Sequence, residues 1–123
     1  SHESISHKKM PTLSDHSHFI DSRPYEVWYM IQSMEESSYP VVGSIYLNHD
    51  DSIGIGIYDR YKRQHYASAA IKTLMDEHPR NAYYANINPD NHNSKELFKR
   101  LGFKFHRSEK HQDVYMYLPN QEE

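Results

Sequence analysis

The chain has 123 residues, enough for one domain with a single modest core. Acidic residues number 17 and basic residues 14, a formal charge of −3 that argues against a bulk electrostatic grip on nucleic acid, although 10 histidines make the balance depend on pH. The absence of cysteine excludes a disulfide scaffold, a thiolate zinc site and a cysteine nucleophile. No apolar run approaches the ~20 residues of a bilayer span and no secretory signal is visible, so a cytoplasmic location without membrane contact is expected. The chain starts Ser1-His2 rather than Met, so an N-terminal piece is expected to have been removed or replaced. The 37% hydrophobic fraction includes 11 tyrosines, so tyrosine rings are expected to supply part of the core.

Residues 1–22 read as a polar N-terminal segment, 23–118 as the domain and 119–123 as a tail. Within the first segment Ser4-Ile5-Ser6 predicts a short strand. Pro11 to Asp15 predicts a turn that leads into a helical turn carrying Phe19 and Ile20. Tyr25 to Gln32 is aromatic and β-branched and predicts a central strand. Val41 to Asn48 predicts a second strand, with Val41, Gly43, Ile45 and Leu47 on one face, and Ser52 to Tyr58 a third, making an antiparallel meander. In that third strand Ile53, Ile55 and Ile57 point one way, while Gly54 and Gly56 leave the other face bare for a packed helix or a ligand.

After a polar turn over Asp59 to His65, the helical spacing of Ala67, Ala70, Ile71, Leu74, Met75 and His78 predicts a helix over 66–78, stopped by Pro79. Asn81 to Asn88 predicts a strand parallel to 52–58, reached by a right-handed crossover. Asn93 or Ser94 caps a second helix that buries Leu97, Phe98 and Leu101 and stops at Gly102. Phe103 to Arg107 and Val114 to Leu118 close as an antiparallel pair. The expected fold is a mixed α/β (α+β) sheet in the order β-β-β-α-β-α-β-β.

Two units carry chemistry. The first is the strand at 52–58, the turn and the following helix. A strand feeding a helix N-terminus presents unpaired N–H groups and a positive dipole end suited to phosphate, and Lys62 and Arg63 add charge. The second is Asn88-Pro89-Asp90-Asn91-His92-Asn93-Ser94, followed by a helix ending in Leu101-Gly102-Phe103. His16-Ser17-His18 and the His106/His111 pair lack a third ligand, so no metal is expected. Gly54-Ile55-Gly56 is not a dinucleotide fingerprint, because no third glycine follows at the helix. A Gly-Lys-Ser/Thr phosphate loop and a Gly-x-Ser-x-Gly elbow are both absent. The basic run Lys95, Lys99, Arg100, Lys104 and Arg107 reads as a solvated helix face.

Taken together, Pro89-Asp90-Asn91 with Ser94, Leu101-Gly102-Phe103 and the meander of strands make residues 25–118 resemble the GNAT family of N-acetyltransferases. The resemblance implies acetyl-CoA as co-substrate, a small-molecule primary amine as acceptor (an amino sugar, an amine or an amino acid conjugate, with peptide and protein amines left open), and direct transfer without an acyl-enzyme. It implies cofactor contacts from Ile55, Ile57, Lys62, Arg63, Gln64, His65, Tyr66, Ala67, Asn88, Asn91, Ser94 and Phe98. An oxyanion donor is implied at the Ile57 backbone and a thiolate acid among Tyr58, Tyr61 and Tyr84; the base candidates are His49, Asp50, Asp51 and Glu26. The sequence departs from the family in two places: His65 stands where the diphosphate loop usually has Gly, and Phe98 where a Tyr is frequent. These departures motivate an alternative, a weakened member that binds CoA or a protein partner without turnover. A third reading is an interaction domain with no CoA site. Few residues precede the meander, so a second subunit in a homodimer is a candidate to complete the acceptor side.

Overall fold

The computed structural model describes the backbone of residues 12–15 and 25, and residues 26–62 and 65–119 in full. Strands β1 (Thr12–Asp15), β2 (Tyr25–Gln32), β3 (Val41–Asn48) and β4 (Ile53–Ile57) form one antiparallel sheet in the order β1-β2-β3-β4. A short 3-10 turn (Asp59–Tyr61) leads to helix α1 (Tyr66–Glu77). Strand β5 (Tyr83–Ile87), helix α2 (His92–Arg100) and strands β6 (Lys104–Glu109) and β7 (Gln112–Tyr117) follow, with a second antiparallel sheet in the order β5-β7-β6. The mixed α/β class expected from the sequence is the one found.

Several expectations are corrected. Residues 12–15 are a strand on the outer edge of β2 rather than a turn, because Thr12 to Asp15 find ladder partners in Tyr29 to Gln32. The predicted strand at 4–6 and the helical turn at Phe19–Ile20 lie outside the described residues. Val42 rather than Val41 is fully buried, because a register shift between Ile31 and Gln32 rotates the start of β3. Asn91, not Asn93 or Ser94, caps α2: its side chain accepts from the Ser94 N–H at 3.1 Å. The parallel pairing of β4 with β5 amounts to one bridge, Ser52 with Tyr84, so the expected single sheet is two.

The core lies between the sheets and the inner faces of both helices. Tyr66, Ala70, Ile71 and Leu74 form the buried stripe of α1, and Ile71 and Leu74 are fully buried. Each such side chain contributes roughly 1.5–3 kcal/mol of transfer free energy. Tyr61, Tyr66, Tyr83 and Tyr115 are buried with them, so tyrosines do complete the core. The Tyr83 hydroxyl lies 2.7 Å from the His78 carbonyl and 3.0 Å from that of Met75, which ties β5 to the end of α1. Burial first, and then the nearby carboxylates, push the Tyr83 phenol up against the opposing influence of Arg80. Phe98 packs edge-to-face on Phe103 at 4.9 Å, and Gly102 (φ 100°) supplies the left-handed stop that brings the two rings together.

Gly43 sits where β3 meets the end of β4. A Cβ there would collide with the Gly56 carbonyl oxygen and stand 2.9 Å from the Ile57 Cα, both backbone atoms that cannot retreat without moving β4. The substitution Gly43→Ala is expected to destabilise the fold by about 1–3 kcal/mol in urea unfolding; an unchanged midpoint would contradict this contact.

Helix α2 is anchored to β7 by Lys95, whose ammonium lies 3.1 Å from Asp113, and Ser108 donates to the same carboxylate at 3.1 Å. The Lys95 hydrogen bond, opposed by desolvation and helped by Ser108, holds the Asp113 carboxyl below the usual carboxylate range. A depressed native pKa contributes stability above the unfolded value, near 3.9, and loses it as pH falls through the native one. Asp113→Asn is therefore expected to be less stable than the parent at pH 7, with the difference closing below about pH 4. A pH-independent difference would show that charge is not its origin.

Candidate active site

The site begins with two sheet edges that face each other and, among the described residues, pair at a single bridge. Strand β4 ends the first sheet and β5 ends the second. They run parallel and touch at Ser52–Tyr84, where the Tyr84 N–H donates to the Asp51 carbonyl at 3.0 Å. The bridge lies at the start of both strands, so the cleft opens toward their C-terminal ends, the side on which α/β sheets bind ligands.

Antiparallel geometry decides which backbone groups line this cleft. Tyr58 donates to the Val42 carbonyl at 2.8 Å, and Asn48 donates to the Ser52 carbonyl at 2.9 Å. Even-numbered residues of β4 therefore turn their N–H and C=O toward β3, and Ile55 and Ile57 turn theirs toward β5. A chain laid in the cleft would find these groups waiting, as in strand addition.

At the open end, α1 begins with His65 at φ 71° and ψ 5°, a left-handed conformation unusual for a side-chain-bearing residue. A left-handed residue followed by right-handed helix aims successive N–H groups, here those of His65, Tyr66 and Ala67, into one concavity that binds anions. Among the described residues no side chain caps this helix and its first turn holds no acidic residue, so its dipole and first N–H groups suit a phosphate. Lys62 stands beside it, exposed, 3.2 Å from Asp59. Arg63 and Gln64 lie outside the described residues. Tyr66 holds the helix start in place: its hydroxyl meets the buried Ser33 hydroxyl at 2.8 Å, and its ring packs edge-on against Tyr61. The residues present thus fit a diphosphate followed by an extended arm.

The acid and base candidates divide by position. Asp51 and Glu26 are held by Arg80, at 3.0 Å from its Nε and 2.5 Å from its Nη2, across the pinned end of the cleft. Burial works against the Arg80 charge, but the hydrogen bonds and charges of Glu26 and Asp51 outweigh it and raise its pKa. Asp50 accepts from the N–H and the hydroxyl of Ser52, and His49 is exposed in the same turn. Glu26, Asp50 and Asp51 are thus engaged at the closed end. Tyr58 is 57% exposed at the open end, whereas Tyr61 is buried beneath Arg60, whose guanidinium lies 5.1 Å from its ring centre. Tyr84 lies 6.1 Å from His106, ring to ring.

On the other side of the cleft, the Asn88 side chain accepts from the Asp90 N–H at 2.8 Å, and Asn91 is the cap of α2. Both oxygens shape the turn. Ser94 is half-buried in the first turn of α2, and Phe98 is a core residue, 3% exposed. A concavity of about 820 Å³ lies elsewhere, with Asp51, Lys72, Asp76, Arg80, Tyr83 and Tyr117 in its lining. There Asp51 and Arg80 are already paired with each other, whereas the cleft edges of β4 and β5, among the described residues, are joined at the Ser52–Tyr84 bridge alone. Among the described residues no three His, Asp or Glu side chains gather as metal ligands, and no helix is long and apolar enough to cross a membrane. Sequence reading missed the Arg80 ion triad and the Ser33–Tyr66 pair, since both join residues far apart in the chain with no local signature.

The left-handed His65 costs about 1–2 kcal/mol relative to glycine. His65→Gly is expected to raise stability by about 0.5–1 kcal/mol, after the added freedom of the unfolded chain is subtracted. Thermal unfolding measures it, and a loss of stability would mean that the imidazole makes a compensating contact.

Comparison with known proteins places this geometry. The profile of the family described as "Acetyltransferase (GNAT) domain" matches residues 5–104. No curated protein sequence matches the chain. Among solved structures, a domain from Methanocaldococcus jannaschii superposes with a TM-score of 0.71 at 20% identity, over 84% of this chain and 72% of its own. The spermidine/spermine N-acetyltransferase SpeG of Vibrio cholerae gives 0.64 at 17% identity, over 85% of this chain and 69% of its own. The microcin C7 self-immunity acetyltransferase MccE, solved with acetyl-CoA and AMP, gives 0.62 at 16% identity, over 74% of this chain and 59% of its own. This chain thus spans less than two thirds of MccE, and at these identities the likeness is one of fold.

Proposed function

The chain belongs to the GNAT acetyltransferase family, whose members use acetyl-CoA, and from that premise we propose that it moves the acetyl group to a primary amine of a small molecule, by direct attack with both substrates bound. The observation that carries this reading is the pair of unpaired parallel edges ending beside an uncapped helix start. Acetyl-CoA, when bound, supplies an activated acyl carbon. In this proposal the N–H groups of His65, Tyr66 and Ala67, with Lys62, Arg63 and Gln64, hold the diphosphate. Ile55 and Ile57 pair with the extended arm, and the Ile57 N–H faces the oxygen on which negative charge develops. Asn88, Asn91 and Ser94 order the turn on the opposite lip. Tyr58, exposed at the open end, is the proposed proton donor to the leaving sulfur. In this proposal Asp51 serves the pinned end, being committed to Arg80, while His49, exposed in the same turn, stays a base candidate. Aliphatic amines form the first acceptor panel, because the Vibrio cholerae neighbour is by name a spermidine/spermine N-acetyltransferase.

One observation favours a second reading. Phe98, standing where the family often has Tyr, is buried against Phe103, so that helix offers no proton at this position. A CoA-binding member without turnover would share every backbone feature of the cleft. Release of free thiol over the amine panel separates the two.

The direct test is Ala67→Glu. A carboxylate in the first turn favours the helix dipole, so stability is expected to hold or rise, while repulsion of the diphosphate lowers acetyl-CoA affinity at least tenfold. For the parent chain, acetyl-CoA at a hundredfold excess over Kd is expected to stabilise by about 2.7 kcal/mol in a melting experiment. Equal affinity in parent and variant would remove the diphosphate from the start of α1.

A further inference from the structure

The face of the first sheet turned away from α1 carries a gap whose floor and walls can be named. Cross-strand register places Tyr46 beside Gly54 and Ser44 beside Gly56, all on that face, and Tyr58 continues it two residues on. The glycines differ. A Cβ on Gly54 would collide with the Tyr46 ring, which covers that glycine. Around Gly56 no atom of the described residues comes within 4 Å of where a Cβ would stand. Tyr58 beyond it is 57% exposed. Across the cleft the Ser52–Tyr84 bridge puts Tyr84 on the same face, half-buried. The floor of the gap is therefore bare Gly56 backbone next to the half-buried Ser44, and tyrosine rings bound it along β4 and on the far lip.

Gly56 is also the residue between Ile55 and Ile57, whose amides open into the cleft. A group seated on the Gly56 face lies one residue from the atoms proposed to hold the thioester, on the side away from α1. Tyrosine faces attract organic cations, and a serine hydroxyl accepts from an ammonium N–H.

Resting on the transferase reading above, we propose that the Gly56 gap, walled by Tyr46 and Tyr58 and floored by Ser44, is the acceptor slot, and that it takes the ammonium end of an unbranched primary alkylamine. Gly56 is its specificity-determining position, because any side chain there occupies the slot. The amine enters charged, held by the rings, and gives one proton to water before its nitrogen attacks. The new C–N bond forms and the C–S bond breaks, the sulfur leaving with the electron pair; the second proton that the nitrogen then sheds balances the one the sulfur takes up, so the products are the amide, the free thiol and the proton released to water.

Gly56→Val tests the slot, since valine suits a strand and its Cβ would meet no atom of the described residues within 4 Å. n-Butylamine is titrated calorimetrically into the CoA complex of each protein, with acetyl-CoA affinity and thiol release measured alongside. The expected result is butylamine affinity lowered at least tenfold in Gly56→Val with acetyl-CoA affinity within twofold of the parent. Tyr58→Leu is expected to weaken the amine several-fold, and Tyr58→Phe, which keeps the ring, to retain it whatever happens to the rate. Equal amine affinity in parent and Gly56→Val overturns the slot, as does a parent that binds no amine. If the amine binds as expected but no thiol is released, the slot stands and the transferase reading fails.

Discussion

A single hydrogen-bonded bridge governs this molecule. Tyr84 donates to Asp51 at the start of β4 and β5, and beyond that point the inner edges of the two parallel strands have no ladder partner among the described residues. Exposed edges invite unwanted pairing, and proteins ordinarily cover or close them. Here the open edges are where the proposed acetyl-CoA cleft lies, and ion pairs reinforce the pinned end. Arg80 clamps Glu26 of β2 and Asp51 of the β3–β4 turn, and the Tyr83 hydroxyl accepts from the Arg80 N–H. The carboxylates nearest the cleft therefore serve its architecture. An exposed ion pair of this kind contributes little by itself, and its value lies in fixing one end of a hinge-like wedge.

The other half of the site depends on how α1 begins. Its position is set by Tyr66, wedged against Tyr61 and joined to Ser33 through a buried hydroxyl pair. Its N–H groups converge because His65 is left-handed, a conformation with a steric cost that a glycine would avoid. Among the described residues the helix has no side-chain cap, and its first turn holds no acidic residue, though both would stabilise it in isolation. Each of these omissions favours positive potential at the mouth of the cleft. Local stability is given up where the proposed diphosphate would sit, consistent with the general placement of strain at functional positions.

Much of this was legible in the sequence, because it rests on local rules. The alternation of Ile53, Ile55 and Ile57 with two glycines, the helical spacing of Ala70, Ile71 and Leu74, and the stop at Gly102 each specify their element without distant help. The tyrosine content foretold a core built partly from phenol rings. What escaped was whatever depends on register or on distant partners. The bare face of β4 reads from sequence as two equal vacancies, yet Tyr46 fills the one at Gly54, a fact set by the β3–β4 pairing. Asp51 reads as a free carboxylate because Arg80 stands 29 residues away. Asn91 took the cap from its neighbours because the chain turns one residue pair earlier than the capping-box spacing suggests.

The central claim is that the Ile55 and Ile57 amides are unpaired in the free protein and become paired when CoA enters. Residue-resolved amide hydrogen exchange, with and without saturating CoA, reads this directly. The account requires Gly54 and Gly56, which donate to β3, to be protected in both states, and Ile55 and Ile57 to exchange rapidly alone and slowly with CoA. Slow exchange of Ile55 and Ile57 without CoA, or rapid exchange with it, would contradict the account.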